Sequence, residues 1–341
     1  MTRRARLRVD AFGRTSVAAL TLAAHAPCRR GVRALPAPAL VVLALVVAAV
    51  PSAAATSAGA SRPAPEATVT GAAACDCGRF AEELAAARAV FASRGEGATS
   101  RPSQAAQTRF RERILEAFAR ASCLVACNGV ADPERDEARV LLATTAFKSR
   151  RFGPTEAAAG ERLTRGLAET ERCLEHPAPL PACRLWHGSI RGIQARGSWN
   201  PMQLALPKQL LVEFRAARGD APPGEDPPDG AATRAEAALL VRAPSVAGGD
   251  VHAARQLMDA AAAAPSFACT VENRILLAET LARTGDGARA VAELRAALAA
   301  GLPTCGDNRY ENASDLEDAA RCLARLEERP NQDPGWDDDC R

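Results

Sequence analysis

Apolar side chains recur along this chain with the period of a helix. Phe80, Leu84, Ala87 and Phe91 fall at i, i+4, i+7 and i+11, and Phe110, Ile114, Phe118 and Ala121 repeat the pattern. Asp132-Pro133, a capping residue and a first-turn proline, opens a third helix that carries Leu141, Leu142 and Phe147, and Gly153-Pro154 stops it. Leu163, Leu167, Thr170 and Leu174 mark a fourth, and Leu185, Trp186, Ile190 and Ile193 a fifth from about Cys183 to Arg196. A sixth carries Leu204, Leu211 and Phe214, with Pro207 kinking it or delaying its start. The stretch from Gly219 to Gly230 holds four prolines and is the strongest loop signal in the body. Ser314-Asp315-Leu316-Glu317 has the form of a capping box that opens a last helix ending near Pro330.

The pattern is densest from Ala243 to Ala300. Gly248, Ala253, Leu257, Ala260 and Pro265 take turn, close-packing and terminator positions of one helix hairpin. Leu277, Ala278, Leu281, Gly285, Ala290, Leu294 and Ala297 take them in the next, 37 residues on from glycine to glycine. Small residues at fixed places let antiparallel helices approach closely, and a hairpin of this size cannot bury its apolar face alone. The spacing is that of tetratricopeptide (TPR) repeats. The fold class expected is all-α, antiparallel helix-hairpin repeats in a TPR-like α-solenoid of about ten helices.

Composition agrees. The 341 residues are 48% hydrophobic but only 4% aromatic, so alanine and leucine do the packing, in a helix-forming vocabulary. The formal charge of +3 conceals an asymmetry: residues 1–55 carry eight arginines against Asp10, a net +7, which leaves −4 for the rest. A weakly acidic body without a basic stripe argues against nucleic acid.

The basic residues of that leader end at Arg33, the apolar run Ala39–Val50 follows, and Ala53-x-Ala55 offers a cleavage site. This is the layout of a secretory signal peptide, and it places the mature protein in the periplasm or outside the cell. The alternative is an inner-membrane anchor formed by residues 34–55, which carry no charge; the strictly apolar run is short of the roughly 20 residues a spanning helix needs. The domains expected are a signal peptide at 1–55, a flexible lead at 56–74, the helical-repeat domain at 75–330 with its best repeats at 234–300, and an acidic tail at 331–341.

Removal of residues 1–55 takes Cys28 and leaves ten of eleven cysteines, an even number suited to disulfides in an oxidising compartment. By proximity, Cys75 and Cys77 meet Cys123 and Cys127 in two bridges, Cys173 pairs with Cys183 across a helix turn, Cys269 with Cys305, and Cys322 with Cys340. Zinc held by Cys75, Cys77, Cys123 and Cys127 ranks below bridges, because the one-residue spacing of Cys75-x-Cys77 is atypical of a zinc knuckle. No metal and no cofactor are expected.

Residues 180–300 resemble a particular TPR-like family, the T component associated with tripartite ATP-independent periplasmic (TRAP) transporters. The likeness is carried by Arg242-Ala243-Pro244-Ser245-Val246-Ala247-Gly248-Gly249-Asp250 with Leu257 and Pro265, then by Glu272-Asn273-Arg274-Ile275-Leu276-Leu277-Ala278-Glu279 with Leu281, Gly285, Ala290, Leu294 and Leu298, and by Trp186-His187-Gly188. The resemblance implies a periplasmic, non-enzymatic protein that forms homo-oligomers and associates with the transporter's substrate-binding component. The ten cysteines depart from the family pattern.

A partner groove is expected where first helices of repeats present Glu272, Ile275, Glu279 and Ala282, with Arg283 at the rim; its two carboxylates favour a basic or apolar partner. Of the histidines, His25 leaves with the leader, His176 sits in a turn, and His187 and His252 have no acidic or cysteine neighbour at ligand spacing. No phosphate loop, nucleophile elbow or metal-binding histidine pair occurs, so no enzyme is expected. The function expected is an exported protein-binding scaffold of the cell envelope, an accessory of a solute transporter; the alternative is a scaffold for outer-membrane or surface assembly.

Overall fold

The computed structural model describes residues 75–101, 103–152, 156–196 and 204–328. Two units divide the chain, Met1–Ala64 and Pro65–Arg341, and the described residues belong to the second. The expected signal peptide, residues 56–74, the stretch Trp199-Asn200-Pro201 and the tail with Cys340 lie outside the described residues.

The architecture is all-α. Eleven helices occur among the described residues: α1 (Phe80–Ala92), α2 (Gln104–Leu124), α3 (Asp132–Phe152), α4 (Glu156–Leu174), α5 (Pro181–Arg196), α6 (Leu206–Arg218), α7 (Ala231–Arg242), α8 (Val251–Ala261), α9 (Val271–Arg283), α10 (Gly287–Ala300) and α11 (Arg309–Glu328). Each packs on the next in sequence. The odd-numbered helices also touch one another in turn, α1 on α3, α3 on α5, and so on to α11. This double contact is the signature of stacked hairpins, in which each unit buries its apolar face against its neighbour. None of the described helices is long and apolar enough to cross a membrane.

The last helix returns to the first hairpin. Helix α11 touches α2 and the short 3-10 turn Ser93–Gly95 that follows α1. Tyr310 stacks on Phe110 with ring centroids 4.3 Å apart, beside Ala98, Ala106 and Ile114. The largest core joins α7 to α11 through Leu240, Met258, Leu276, Leu277, Leu281, Leu294 and Leu316. A second surrounds Trp186, Ile190, Leu210 and Phe214, where Phe147 lies against Trp186 at 5.3 Å.

Local chemistry sets the ends of these elements. Pro207 stands in the first turn of α6 and delays its start, so Leu204 precedes the helix and is 51% exposed rather than part of its buried stripe. The loop before α7 carries Asp226, fully buried, whose carboxylate accepts from the backbone amides of Ala232 (2.7 Å) and Thr233 (3.3 Å). The capping box expected at Ser314 is not one, because α11 already begins at Arg309. Burial of Tyr310, Asn312 and Ala313 extends that helix forward, and tertiary packing overrides the local signal. Asn312 caps α9 instead: its Oδ1 accepts from the amide of Val271 (2.8 Å) and its Nδ2 donates to the carbonyl of Cys269 (2.9 Å). Asn312-Ala313-Ser314 has the form of a glycosylation triplet, but at 1% exposure Asn312 is closed to that modification.

Four bridges tie the connections: Cys75–Cys123, Cys77–Cys127, Cys173–Cys183 and Cys269–Cys305. They match four of the five proximity pairings and settle which of the first four cysteines pair; the fifth, Cys322 with Cys340, reaches outside the described residues. The Cys269–Cys305 bridge spans 36 residues and Cys173–Cys183 spans 10. Loop-closure entropy makes the longer worth more to the folded state, about 3–4 kcal/mol against roughly 2–3 kcal/mol. Urea unfolding of the Cys269→Ala/Cys305→Ala variant is therefore expected to show a larger loss than Cys173→Ala/Cys183→Ala. The reverse order would mean that the shorter bridge stabilises by something other than chain restriction.

Candidate functional site

The five residues expected to line a groove on α9 do not share an open surface. Ile275 is buried and Ala282 packs against the core. Glu279 is fully buried, because α7 stacks on α9 and brings Arg242 to it. Arg242 Nη2 donates to Glu279 Oε2 at 2.6 Å, and Arg283 Nε lies 3.4 Å from Oε1. Glu272, Ala282 and Arg283 are partly exposed, with Glu272 3.9 Å from Arg234. A neutralised, enclosed Glu279 offers no field to a partner, so the preference argued from two free carboxylates falls away.

A second cluster joins the ends of the array, and no local signal in the sequence points to it. Glu311, in the first turn of α11, accepts at Oε1 from Lys148 Nζ of α3 (2.7 Å) and from Arg94 Nε of the turn after α1 (2.9 Å). Arg94 Nη2 also donates to Asn308 Oδ1 at 2.7 Å, and its guanidinium sits 3.9 Å over the Phe91 ring. The partners lie 163 and 217 residues from Glu311 in sequence, so only the folded chain brings them together. The backbones meet closely there: a Cβ built on Gly95 would lie 3.1 Å from Arg309 Cβ.

Burial alone would push the Glu311 carboxyl up, but Lys148 and Arg94 outweigh it and hold the group below its ordinary 4.5. Lys148 is pushed below its ordinary 10.5, first by burial and then by Arg94, against the pull of Glu311. The signs follow from linkage. The stabilisation from Glu311 is complete above 4.5 and is lost as pH falls through its lower folded value. Folding a charged Lys148 carries a cost at neutral pH, relieved as pH rises through its folded value towards 10.5. The acid decline of the urea midpoint should be shallower in Glu311→Gln than in the parent, and Lys148→Met should lack the alkaline gain. Unchanged profiles in both variants would show that the cluster does not set the pH dependence.

Two histidines gain carboxylate partners that sequence spacing hides. His176 Nδ1 lies 2.6 Å from Asp136 Oδ2 and fastens the α4–α5 turn to the start of α3. His187 Nδ1 lies 2.8 Å from Glu213 Oε2, and Arg191 donates to the other oxygen of Glu213 at 3.2 Å. Both carboxylates already serve an arginine, Asp136 accepting from Arg139 at 2.7 Å. These are inter-helix ties. His252 is exposed at the start of α8, where its amide donates to Asp250.

One surface feature remains. Val212 and Val246 are 66% and 75% exposed, and with Leu204 they are the exposed large hydrophobics among the described residues. Lys208 and Val212 share a face of α6, one turn apart. The turn Ser245–Ala247 lies beside that face, since a Cβ built on Gly248 would meet Lys208 Cγ at 3.0 Å. Comparison of the chain with protein-family models, with curated proteins and with solved structures finds no match.

Proposed function

We propose that the protein is an exported helical-repeat scaffold of the cell envelope that holds a protein partner. The carrying observation is two exposed valines, Val212 on α6 and Val246 in the turn that packs on α6, displayed on an array braced by four disulfides. Exposed apolar side chains on neighbouring, rigidly held elements suit protein contact, and bridges suit an oxidising compartment outside the cytoplasm. The transporter-accessory reading rests on the resemblance of residues 180–300, and it names a periplasmic substrate-binding protein as the partner.

A photo-crosslinking residue placed at Val212 in the cell tests this. The expected result is one dominant cross-linked protein in the envelope fraction, lost when Val246→Asp is added and the helical spectrum is unchanged. Mass spectrometry of that species identifies the partner, and a substrate-binding protein supports the accessory reading. A cytoplasmic chain with free thiols, or a cross-link insensitive to Val246→Asp, overturns the proposal.

A further inference from the structure

Four sulfurs meet where the lead enters the first hairpin. Cys75 lies just ahead of the 3-10 turn Cys77–Arg79 that opens α1, while Cys123 and Cys127 lie on and just beyond the last turn of α2. The two bridges they form are in mutual contact. Cys75 Sγ is 4.0 Å from Cys127 Sγ, across the pairs, and the sulfurs of Cys75, Cys77 and Cys127 all fall within 4.8 Å of one another. Among the described residues this is the one group of three or more such side chains spaced to hold a metal ion.

Three of the four sulfurs already lie near the distances of a tetrahedral thiolate centre, and Cys123, bridged to Cys75, is the one that must move into the group. With zinc–sulfur bonds of about 2.3 Å, the edge between two sulfurs is about 3.8 Å. The cross-pair contact already has that length. Each bridged pair would need its sulfurs to part by only about 2 Å once its bond is opened. The amide of Cys75 donates to Cys123 Sγ at 3.1 Å, a contact that steadies a thiolate ligand. Cys77 is exposed, which gives a reductant and a metal ion access, whereas Cys127 at 2% exposure supplies an enclosed ligand. The one-residue spacing of Cys75-x-Cys77 is no obstacle, since both sulfurs reach the same group.

We propose that this quartet is a redox-gated site for one zinc-like divalent cation: two disulfides when oxidised, one metal tetrathiolate when reduced. Reduction takes two equivalents of a dithiol. Each gives two electrons and two protons to one bridge, which becomes two thiols as the dithiol becomes a disulfide. Binding of the cation then releases the four thiol protons. In either state the Cys75–Cys77 segment stays fastened to the end of α2, so the metal replaces the bridges as the clamp.

Anaerobic titration of the full chain with Co2+, before and after phosphine reduction, tests the proposal. The oxidised chain should take up no cobalt. The reduced chain should bind a single equivalent, with thiolate-to-cobalt charge transfer and the visible bands of a tetrahedral centre, both lost on adding Zn2+. Cys77→Ser should lose the four-sulfur spectrum, while Cys173→Ser/Cys183→Ser should keep it in full. A reduced chain that takes up no cobalt, whether its helices persist or melt, overturns the assignment. So does a spectrum that survives Cys77→Ser unchanged or vanishes in the Cys173/Cys183 variant.

Discussion

Glu279→Ala is expected to destabilise the protein by about 4 kcal/mol, a large part of the stability of an ordinary domain. The carboxylate is fully buried and receives Arg242 through Nε at 3.1 and 3.2 Å and through Nη2 at 2.6 Å. Truncation removes the anion and leaves the Arg242 side chain, itself 9% exposed, as an enclosed charge with its nearest counter-ion gone. Removing one partner of such a pair costs far more than replacing both with apolar residues of similar volume. Arg242→Met combined with Glu279→Leu should therefore recover most of the loss. Urea unfolding with all bridges intact measures both variants. A single variant within about 1 kcal/mol of the parent would refute the argument, as would a double variant no more stable than the single. Cross-linking at Val212 should persist in Glu279→Ala wherever the chain remains folded, because Glu279 braces α9 and does not face a partner.

That pair also shows where sequence reading stops. The helical period of α9 and α10 is legible residue by residue: Leu277, Ala278, Leu281, Ala290, Leu294 and Ala297 are all buried as their spacing requires. Helix α8 is read one position out. Ala254, Met258 and Ala261 form its buried stripe, while Ala260 is exposed. Its sequence VHAARQLMDAA carries two adjacent apolar stripes of nearly equal strength, and the choice is made by neighbours it packs against. Position on the first helix of a repeat places Glu279 on the groove face, with Arg283 at the rim. Yet Arg242 precedes it by 37 residues, the same interval that separates Gly248 from Gly285. Opposite charges at one position of consecutive repeats were thus a usable signal for a buried inter-repeat pair. The Lys148–Glu311–Arg94 cluster left no such trace, since it depends on the last helix returning to the first hairpin, a property of the whole array rather than of any repeat. The bridges were legible because cysteines in neighbouring helices can only meet their near neighbours.

The largest single-residue effect is expected at Gly249, and its cause is distance rather than dihedral angle. The connection from α7 to α8 folds back on itself: the amide of Gly249 donates to the carbonyl of Pro244 at 3.0 Å, and that of Asp250 to Leu240 at 2.8 Å. This presses the Gly249 backbone onto Ala243, so that an added Cβ would lie 1.7 Å from the Ala243 carbonyl oxygen and 2.6 Å from its carbon. Both are backbone atoms, and no side-chain rotation relieves the overlap. Gly249→Ala must therefore break the turn that sets Leu240 and Val241 of α7 against Ala254 and Met258 of α8, at a cost of about 5 kcal/mol or the loss of folding altogether. Gly248 and Gly285 provide the contrast. Both have left-handed φ, +102° and +87°, but a Cβ on Gly248 meets Lys208 Cγ at 3.0 Å, and one on Gly285 meets nothing within 4 Å. Alanine there should cost only about 1–2 kcal/mol of backbone strain. Gly249 is not among the positive-φ glycines, so an account based on dihedral strain alone would rank it the mildest of the three. Urea midpoints of the three alanine variants, compared at one pH with the bridges intact, separate the two accounts. Steric exclusion by the Ala243 carbonyl requires Gly249→Ala to be the least stable by a wide margin.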